Sequence, residues 1–301
     1  MPEYSALEQV LGGLMRRYQE RVPDVQGIIA AMIKEGLIEK ADDIENDHIA
    51  FRTMGVPHLG IQSLEKIFLH LGYKRMDHYV FKEKKLDAYW YAPPAPQYPR
   101  IFISELRVQD LSAHTQAIIR SYTDEVISDP VDALDLNDAA AVDQFLHSGL
   151  WRTPTYADFL ELGKESEYAA WVIYNRYYLN HFTVSVHNLP EEFNCLEAFN
   201  EFLERNGFVL NDSGGKIKAS ADGYLRQSST VARKVEAQFA GGETHLIAGS
   251  YVEFAERGVL KEFQHLPADQ IRREHRREGF EAGNADKIFE STYSAQTSRV
   301  N

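Results

Sequence analysis

The sequence predicts an α+β protein made of two βαβββ modules that form one cup, with added helices at the amino terminus, between the modules and at the carboxyl end. Three observations lead to it. Residues 41–110 run through strand-like and helical periodicity in the order β, α, β, β, β. After a helical stretch the same order returns over 179–260. Landmarks in the two runs also correspond at comparable intervals: Asp47-His48 with Asn180-His181, Gly72-Tyr73 closing the first helix with Gly207-Phe208 closing the second, and Glu105 in one last strand with Glu253 in the other.

Taken in order, residues 1–40 form a helical lead-in, with apolar side chains every three or four positions in ALEQVLGGLMRRYQERV and VQGIIAAMIKEGLIEK and Pro23 dividing them. The first module, 41–110, contains HIAFRT, the helix SLEKIFLHLGYK, and the strands HYVFKE, LDAYWYAP and IFISELRV, the last following the proline-rich turn APPAPQYPR. Residues 111–178 connect the modules and are mostly helical. The second module, 179–260, reads as the strand HFTVSV, the helix CLEAFNEFLERNGF, and strands in GKIKASADG, YLRQSSTVARKVEAQFAG and ETHLIAGSYVEFAER. Residues 261–301 read as a helical segment, with Arg272, Arg273, Arg276 and Arg277 as a solvated face. The whole, 1–301, is expected to be a single compact domain.

Composition narrows the function classes. With 45 acidic against 32 basic residues the formal net charge is −13, so the field of the chain repels phosphate backbones and anionic lipid surfaces, and neither nucleic acid nor membrane is expected as a partner. Cys195 is the single cysteine and can make no internal disulfide, which fits a reducing compartment. The first residues contain an early glutamate and no long apolar run, so neither a signal peptide nor a membrane span is expected, and a cytoplasmic location is. An acidic α+β enzyme of this size is often a homodimer.

In NDHIAFRT the alternation of a strand puts His48, Ala50 and Arg52 on one face and Ile49, Phe51 and Thr53 on the other. In HFTVSV it likewise groups His181, Thr183 and Ser185. Glu253 stands between Val252 and Phe254, where a buried carboxylate needs a cation or donors. Two imidazoles and one carboxylate from three strands match the facial arrangement of non-haem Fe(II) oxygenases, which leaves about three metal positions open, though zinc or another divalent ion can use the same donors. A lone strand histidine is more often a hydrogen-bonded core residue; the repeat supplies the reason for these two to converge. Asp47 and Asn180 alternate to the faces opposite their histidines and are not expected to support them.

Arg52 lies about 13 Å along the strand from His48. It suits a carboxylate held near a metal, or else a salt bridge, for instance to Glu105. Glu105 reads as a fourth ligand, a base behind the ligands, or a partner for Arg107. His187, His245 and Tyr251 are reserve candidates for proton transfer. NDSGGKIK and FAGGETH are hairpin turns rather than phosphate loops, and no GxSxG elbow occurs.

DHIAFRT, the histidine of NHFTVSV, the glutamate of GSYVEFAER and the tail GFEAGNADKIFEST resemble the 2-oxoadipate dioxygenase/decarboxylase family, whose fold is similar to the vicinal oxygen chelate superfamily and its paired βαβββ modules around one metal. The resemblance implies iron ligands at His48, His181 and Glu253 and a substrate-carboxylate arginine at Arg52, with His48 also at the substrate. It implies oxidative decarboxylation and hydroxylation of a small 2-oxo acid with O2, converting 2-oxoadipate to 2-hydroxyglutarate in lysine breakdown, with Fe(II) as cofactor. The chain is shorter than better-known members, and a substrate-contacting residue near their carboxyl end has no counterpart here, so the implied substrate is 2-oxoadipate or a close analogue. The competing readings are a glyoxalase-like metal-dependent lyase or isomerase using Glu105, and an inactive carboxylate-binding module.

Overall fold

Two short strands that each begin beside a histidine lie next to each other in the middle of the molecule. The structure, a computed structural model, describes residues 4–300; residues 1–3 of the expected lead-in and Asn301 lie outside the described residues. The lead-in is α1 (Ser5–Arg21) and α2 (Pro23–Lys34), and Pro23 sits in the first turn of α2, where its missing N–H costs nothing. The first module is β1 (Asn46–Met54), α3 (Ile61–His70), β2 (Lys74–Phe81), β3 (Leu86–Ala92) and β4 (Arg100–Leu106). The connection holds α4 (Ala113–Thr123), α5 (Ala139–Leu146), α6 (Tyr156–Glu165) and α7 (Glu167–Asn175). Then come β5 (His181–Ser185), α8 (Leu196–Arg205), β6 (Lys218–Ala219), β7 (Leu225–Ser229), β8 (Lys234–Gln238), β9 (Thr244–Ala248), β10 (Tyr251–Arg257), α9 (Ala282–Ile288) and α10 (Ser294–Thr297).

Eight of these strands form one sheet in the order β2-β3-β4-β1-β5-β10-β7-β6. β1 pairs parallel with β4, β5 parallel with β10, and β1 antiparallel with β5. The two halves of the sheet therefore repeat about a pseudo-twofold axis between β1 and β5, and a single curled sheet carries both modules. Its helix-facing side repeats too: Phe51 of β1 meets Phe68 of α3 at 5.4 Å between ring centroids, and Phe254 of β10 meets Phe199 of α8 at 5.2 Å. All four rings are fully buried, each worth about 1.5–3 kcal/mol over an exposed one. α3 and α8 dock there because their apolar residues recur at helical spacing, Ile61, Leu64 and Phe68 in one and Leu196, Phe199 and Leu203 in the other.

Two expectations are corrected. The second module is not a plain βαβββ run: YLRQSSTVARKVEAQFAG and ETHLIAGSYVEFAER each split, and β8 and β9 pair only with each other as a separate hairpin inserted before β10. Val231 and Ala232 leave the sheet buried, so no polar turn marks the break. Residues 266–281 are not an α-helix but short 3₁₀ turns in extended chain; the helices of the carboxyl segment are α9 and α10. The arginines there are not merely a solvated face, because they spend donors on carbonyls of other segments: Arg273 on Tyr98 at 2.7 Å and Arg276 on Arg257 at 2.6 Å. No helix among the described residues is long and apolar enough to cross a membrane.

Lys218 of β6 is buried, with Nζ donating to the Asn211 carbonyl at 2.7 Å, and burial pulls its amine down from 10.5 to about 8. Between those values the unfolded chain is protonated and the folded chain is not, so stability rises with pH across that window. The expected gain is up to about 3 kcal/mol, read as the difference between wild type and Lys218→Met in urea unfolding at the two ends of the window. A flat difference would mean that the amine titrates normally.

Candidate metal centre

His48 enters from β1, His181 from the first position of β5 and Glu253 from the middle of β10, and one ligand atom from each lies within 4.8 Å of the others. His48 Nε2 is 3.4 Å from His181 Nε2 and 3.3 Å from Glu253 Oε1, and His181 Nε2 is 3.1 Å from Glu253 Oε2. Thr183 Oγ1 stands 3.1 Å from His48 Nε2. All three candidate ligands are buried.

Each imidazole is held from behind. His48 Nδ1 donates to Asp47 Oδ1 at 2.8 Å and His181 Nδ1 to Asn180 Oδ1 at 3.0 Å. This corrects the expectation that Asp47 and Asn180 face away. Strict alternation fails at both places, because Asn180 precedes β5 and the register of β1 against β5 shifts between Asn46 and Ile49. Asp47 is itself clamped by Arg257, whose Nε lies 2.6 Å from Oδ2 and Nη2 2.9 Å from Oδ1, and by Arg100 at 3.2 Å. Burial opposes the charge of Asp47, but these two guanidinium groups outweigh it and hold the carboxyl well below its usual range.

With both Nδ1 hydrogens spent, the two Nε2 lone pairs point at each other and at a carboxylate. Burial disfavours the imidazolium at both rings; Glu253 and Asp47 override it at His48 and raise that ring, whereas His181 is lowered. Glu253 is held far below its ordinary value despite burial, by the two imidazoles. Three mutually facing lone-pair donors are suited to a cation between them, and adjacent ligands on an ion with bonds of about 2.1 Å stand about 3 Å apart, close to the separations here. The donor set therefore fits a divalent metal, with His48, His181 and Glu253 as the groups to hold it.

Glu253 has a support that sequence reasoning missed. Gln227 of β7 donates Nε2 to Glu253 Oε1 at 2.6 Å, and its own Oε1 accepts from Asn284 of α9 at 3.0 Å. A polar Gln facing inward two positions into a strand was the available signal. Gln227→Leu should weaken metal binding by roughly tenfold to a hundredfold, measured by competition with a chromophoric chelator. Unchanged affinity would reduce Gln227 to a packing residue.

Arg52 lies on the same face as His48, as expected, and is 1% exposed. Nη1 donates to Thr292 Oγ1 at 2.9 Å and Nη2 to the Phe289 carbonyl at 3.0 Å, while the rings of Tyr168 and Trp171 each lie 5.1 Å away. Among the described residues no carboxylate pairs with it, Glu105 included, and its Nε and the facing Tyr251 hydroxyl are both buried without a partner. A buried guanidinium with an idle donor beside an idle hydroxyl is costly unless something anionic completes it. Tyr251, one of the reserve candidates, thus belongs to the site, its ring 4.8 Å from that of His181.

Glu105 does not belong to it. It pairs with Thr53, on the sheet face opposite His48, and accepts the Ile61 N–H at the start of α3 at 2.7 Å. Its counterpart is Glu256, which accepts the Leu196 N–H at the start of α8 at 2.9 Å. The repeat thus matches Glu105 with Glu256, not with Glu253. His187, half-buried beside Arg276 and pushed down to about 3 by desolvation, accepts the Arg257 N–H, and His245 stacks on Tyr156 in the β8–β9 region; neither reaches the centre.

The carboxyl segment closes the cup. Phe280, Ala285, Ile288 and Phe289 line the cavity over His48, His181 and Glu253, and it is Phe289 and Thr292 that meet Arg52.

Paired modules curling one sheet around a buried His-His-Glu cluster define a protein of glyoxalase-like fold with a candidate metal centre. A solved glyoxalase-superfamily protein from Ralstonia eutropha shares that fold, covering 90% of this chain and 84% of its own at TM-score 0.69 and 22% identity. The chain belongs to the 2-oxoadipate dioxygenase/decarboxylase family, whose sequence profile matches residues 10–270. The chloroplastic 2-oxoadipate dioxygenase/decarboxylase of Arabidopsis thaliana is 42% identical to it over 308 residues, 98% of this chain and 80% of the relative. The crystal structure of hydroxyglutarate synthase in complex with 2-oxoadipate from Oryza sativa superposes with TM-score 0.90 at 41% identity, covering 99% of this chain and 96% of that one. The crystal structure of hydroxyglutarate synthase from Pseudomonas putida matches in fold at TM-score 0.50 and 18% identity, covering 85% of this chain and 60% of that one.

Proposed function

We propose that this chain catalyses the Fe(II)-dependent conversion of 2-oxoadipate and O2 to 2-hydroxyglutarate and CO2, with His48, His181 and Glu253 as iron ligands and Arg52 on a substrate carboxylate. The observation that carries the reading is the idle pair of Arg52 Nε and the Tyr251 hydroxyl, buried beside a three-donor centre and complementary to the carboxylate of an organic acid. Family membership and the likeness to the rice enzyme crystallised with 2-oxoadipate support the same substrate.

Bound iron supplies the Lewis acidity that draws a 2-oxo acid and the redox chemistry with O2. The chain's own residues do the rest. Asp47 and Asn180 fix the tautomer of each histidine so that Nε2 is free, and Gln227 fixes one oxygen of Glu253. His48, His181 and Glu253 would hold the ion from one side and leave its other side open to the small-molecule donors of a 2-oxo acid. Arg52 and Tyr251 set the direction in which the acid lies, and Phe280, Ile288 and Phe289 keep the cavity poor in water. Glu105, at the N-terminus of α3, gives no support to a lyase or isomerase that would use it as ligand or base.

The test is stoichiometry. Protein purified without oxygen and loaded with Fe(II) should consume one O2 and release one CO2 per 2-hydroxyglutarate formed. Turnover of 2-oxoadipate in the absence of O2 would remove the dioxygenase reading, and no turnover in its presence would remove the substrate.

A further inference from the structure

We infer that Phe102 sets the number of protein ligands at the centre, by filling with hydrocarbon the fourth position of an otherwise twofold arrangement. The inference rests on the reading of His48, His181 and Glu253 as ligands. It comes from register. Across β1 and β4, His48 pairs with Arg100 and Ala50 with Phe102; across β5 and β10, His181 pairs with Tyr251 and Thr183 with Glu253. The residue two steps beyond the histidine's partner is Phe102 in one module and Glu253 in the other. The pseudo-twofold between β1 and β5 that carries His48 onto His181 thus carries Phe102 onto Glu253.

Phe102 stands in the same cavity as the three donors and is 5% exposed. Its ring packs on Phe280 at 4.9 Å, and Phe280 meets the His48 ring edge-on at 4.8 Å. Of the four positions that the register relates in this way, His48, His181 and Glu253 aim lone pairs at the centre and Phe102 does not. A six-coordinate ion held there keeps about three positions for donors that arrive with substrate. A carboxylate at 102 would take one of them, leaving too few for a two-point 2-oxo acid together with O2. Phe102 is in this sense a determinant of which reaction the fold performs, beyond its part in packing.

Mn(II) reads the ligand count directly. The Phe102→Glu protein should bind Mn(II) about tenfold more tightly than wild type in competition with a chelator. Its enhancement of water-proton relaxation should fall by about a third, as one of roughly three exchangeable positions fills. Phe102→Leu should match wild type in both measurements. A folded Phe102→Glu protein with wild-type Mn(II) affinity and relaxation overturns the inference. Should the carboxylate impair folding, Phe102→His brings a neutral donor to the same place and is judged by the same two readouts. A wild-type chain that binds no Mn(II) would fail earlier, at the ligand assignment itself, which keeps the two failures apart.

Discussion

The His48→Ala protein will be recovered folded but without metal, and its turnover of 2-oxoadipate will be lower by at least about a thousandfold, roughly 4 kcal/mol of transition-state stabilisation. The fold survives because Asp47 keeps both Arg257 and Arg100 as partners when the imidazole is gone, and because the helix-side core of β1 is untouched. Metal is lost because one imidazole and one carboxylate are a poor trap for an ion that must shed its water. The same loss is expected of His181→Ala. Elemental analysis of the purified variants beside wild type decides it: equal metal in all three would remove these histidines from the centre.

Arg52→Met should separate binding of the acid from binding of the metal. Metal content stays at the wild-type level, while kcat/KM for 2-oxoadipate falls by about 3–4 kcal/mol, a hundredfold to a thousandfold, the usual cost of leaving a desolvated charge without its partner. The substitution is also expected to leave unfolding stability within about 1 kcal/mol of wild type or to raise it, because among the described residues no carboxylate pairs with a guanidinium that has been taken out of water. Methionine keeps the bulk between Tyr168 and Trp171. A variant that loses metal or unfolds several degrees earlier would make Arg52 a structural residue instead.

How much of this was legible follows the range of the interactions concerned. Alternation within one strand is local, and it correctly grouped His48 with Arg52. The helix–strand order of the first module is local too, and three of its strands begin and end close to where periodicity placed them, while β2 starts four residues before HYVFKE because its exposed first half, Lys74–Asp77, carries no apolar alternation. Register between distant strands is not local. Matching glutamates by type paired Glu105 with Glu253, whereas the ladders pair Phe102 with Glu253 and Glu105 with Glu256, three residues along. The inserted hairpin escaped notice because β8 and β9 alternate just as the sheet strands around them do, and their exit carries no proline or polar turn on its first side. Asp47 and Asn180 were misplaced because a pleat rule was applied at strand ends, where it does not govern. Gln227 was missed because an inward glutamine has meaning only once Glu253 is known to stand beside it.

The closing of the cup by residues 280–292 has a kinetic consequence. Every donor lies on chain that leaves the ribosome earlier, so an ion can settle into a basin whose cover has not yet been made. In the finished molecule that cover lies over the three donors, so release of the ion is expected to follow an opening of the protein rather than the strength of whatever waits outside. Stripping by increasing chelator should therefore level off at a fixed rate, and trimming Phe289 to alanine should raise that ceiling.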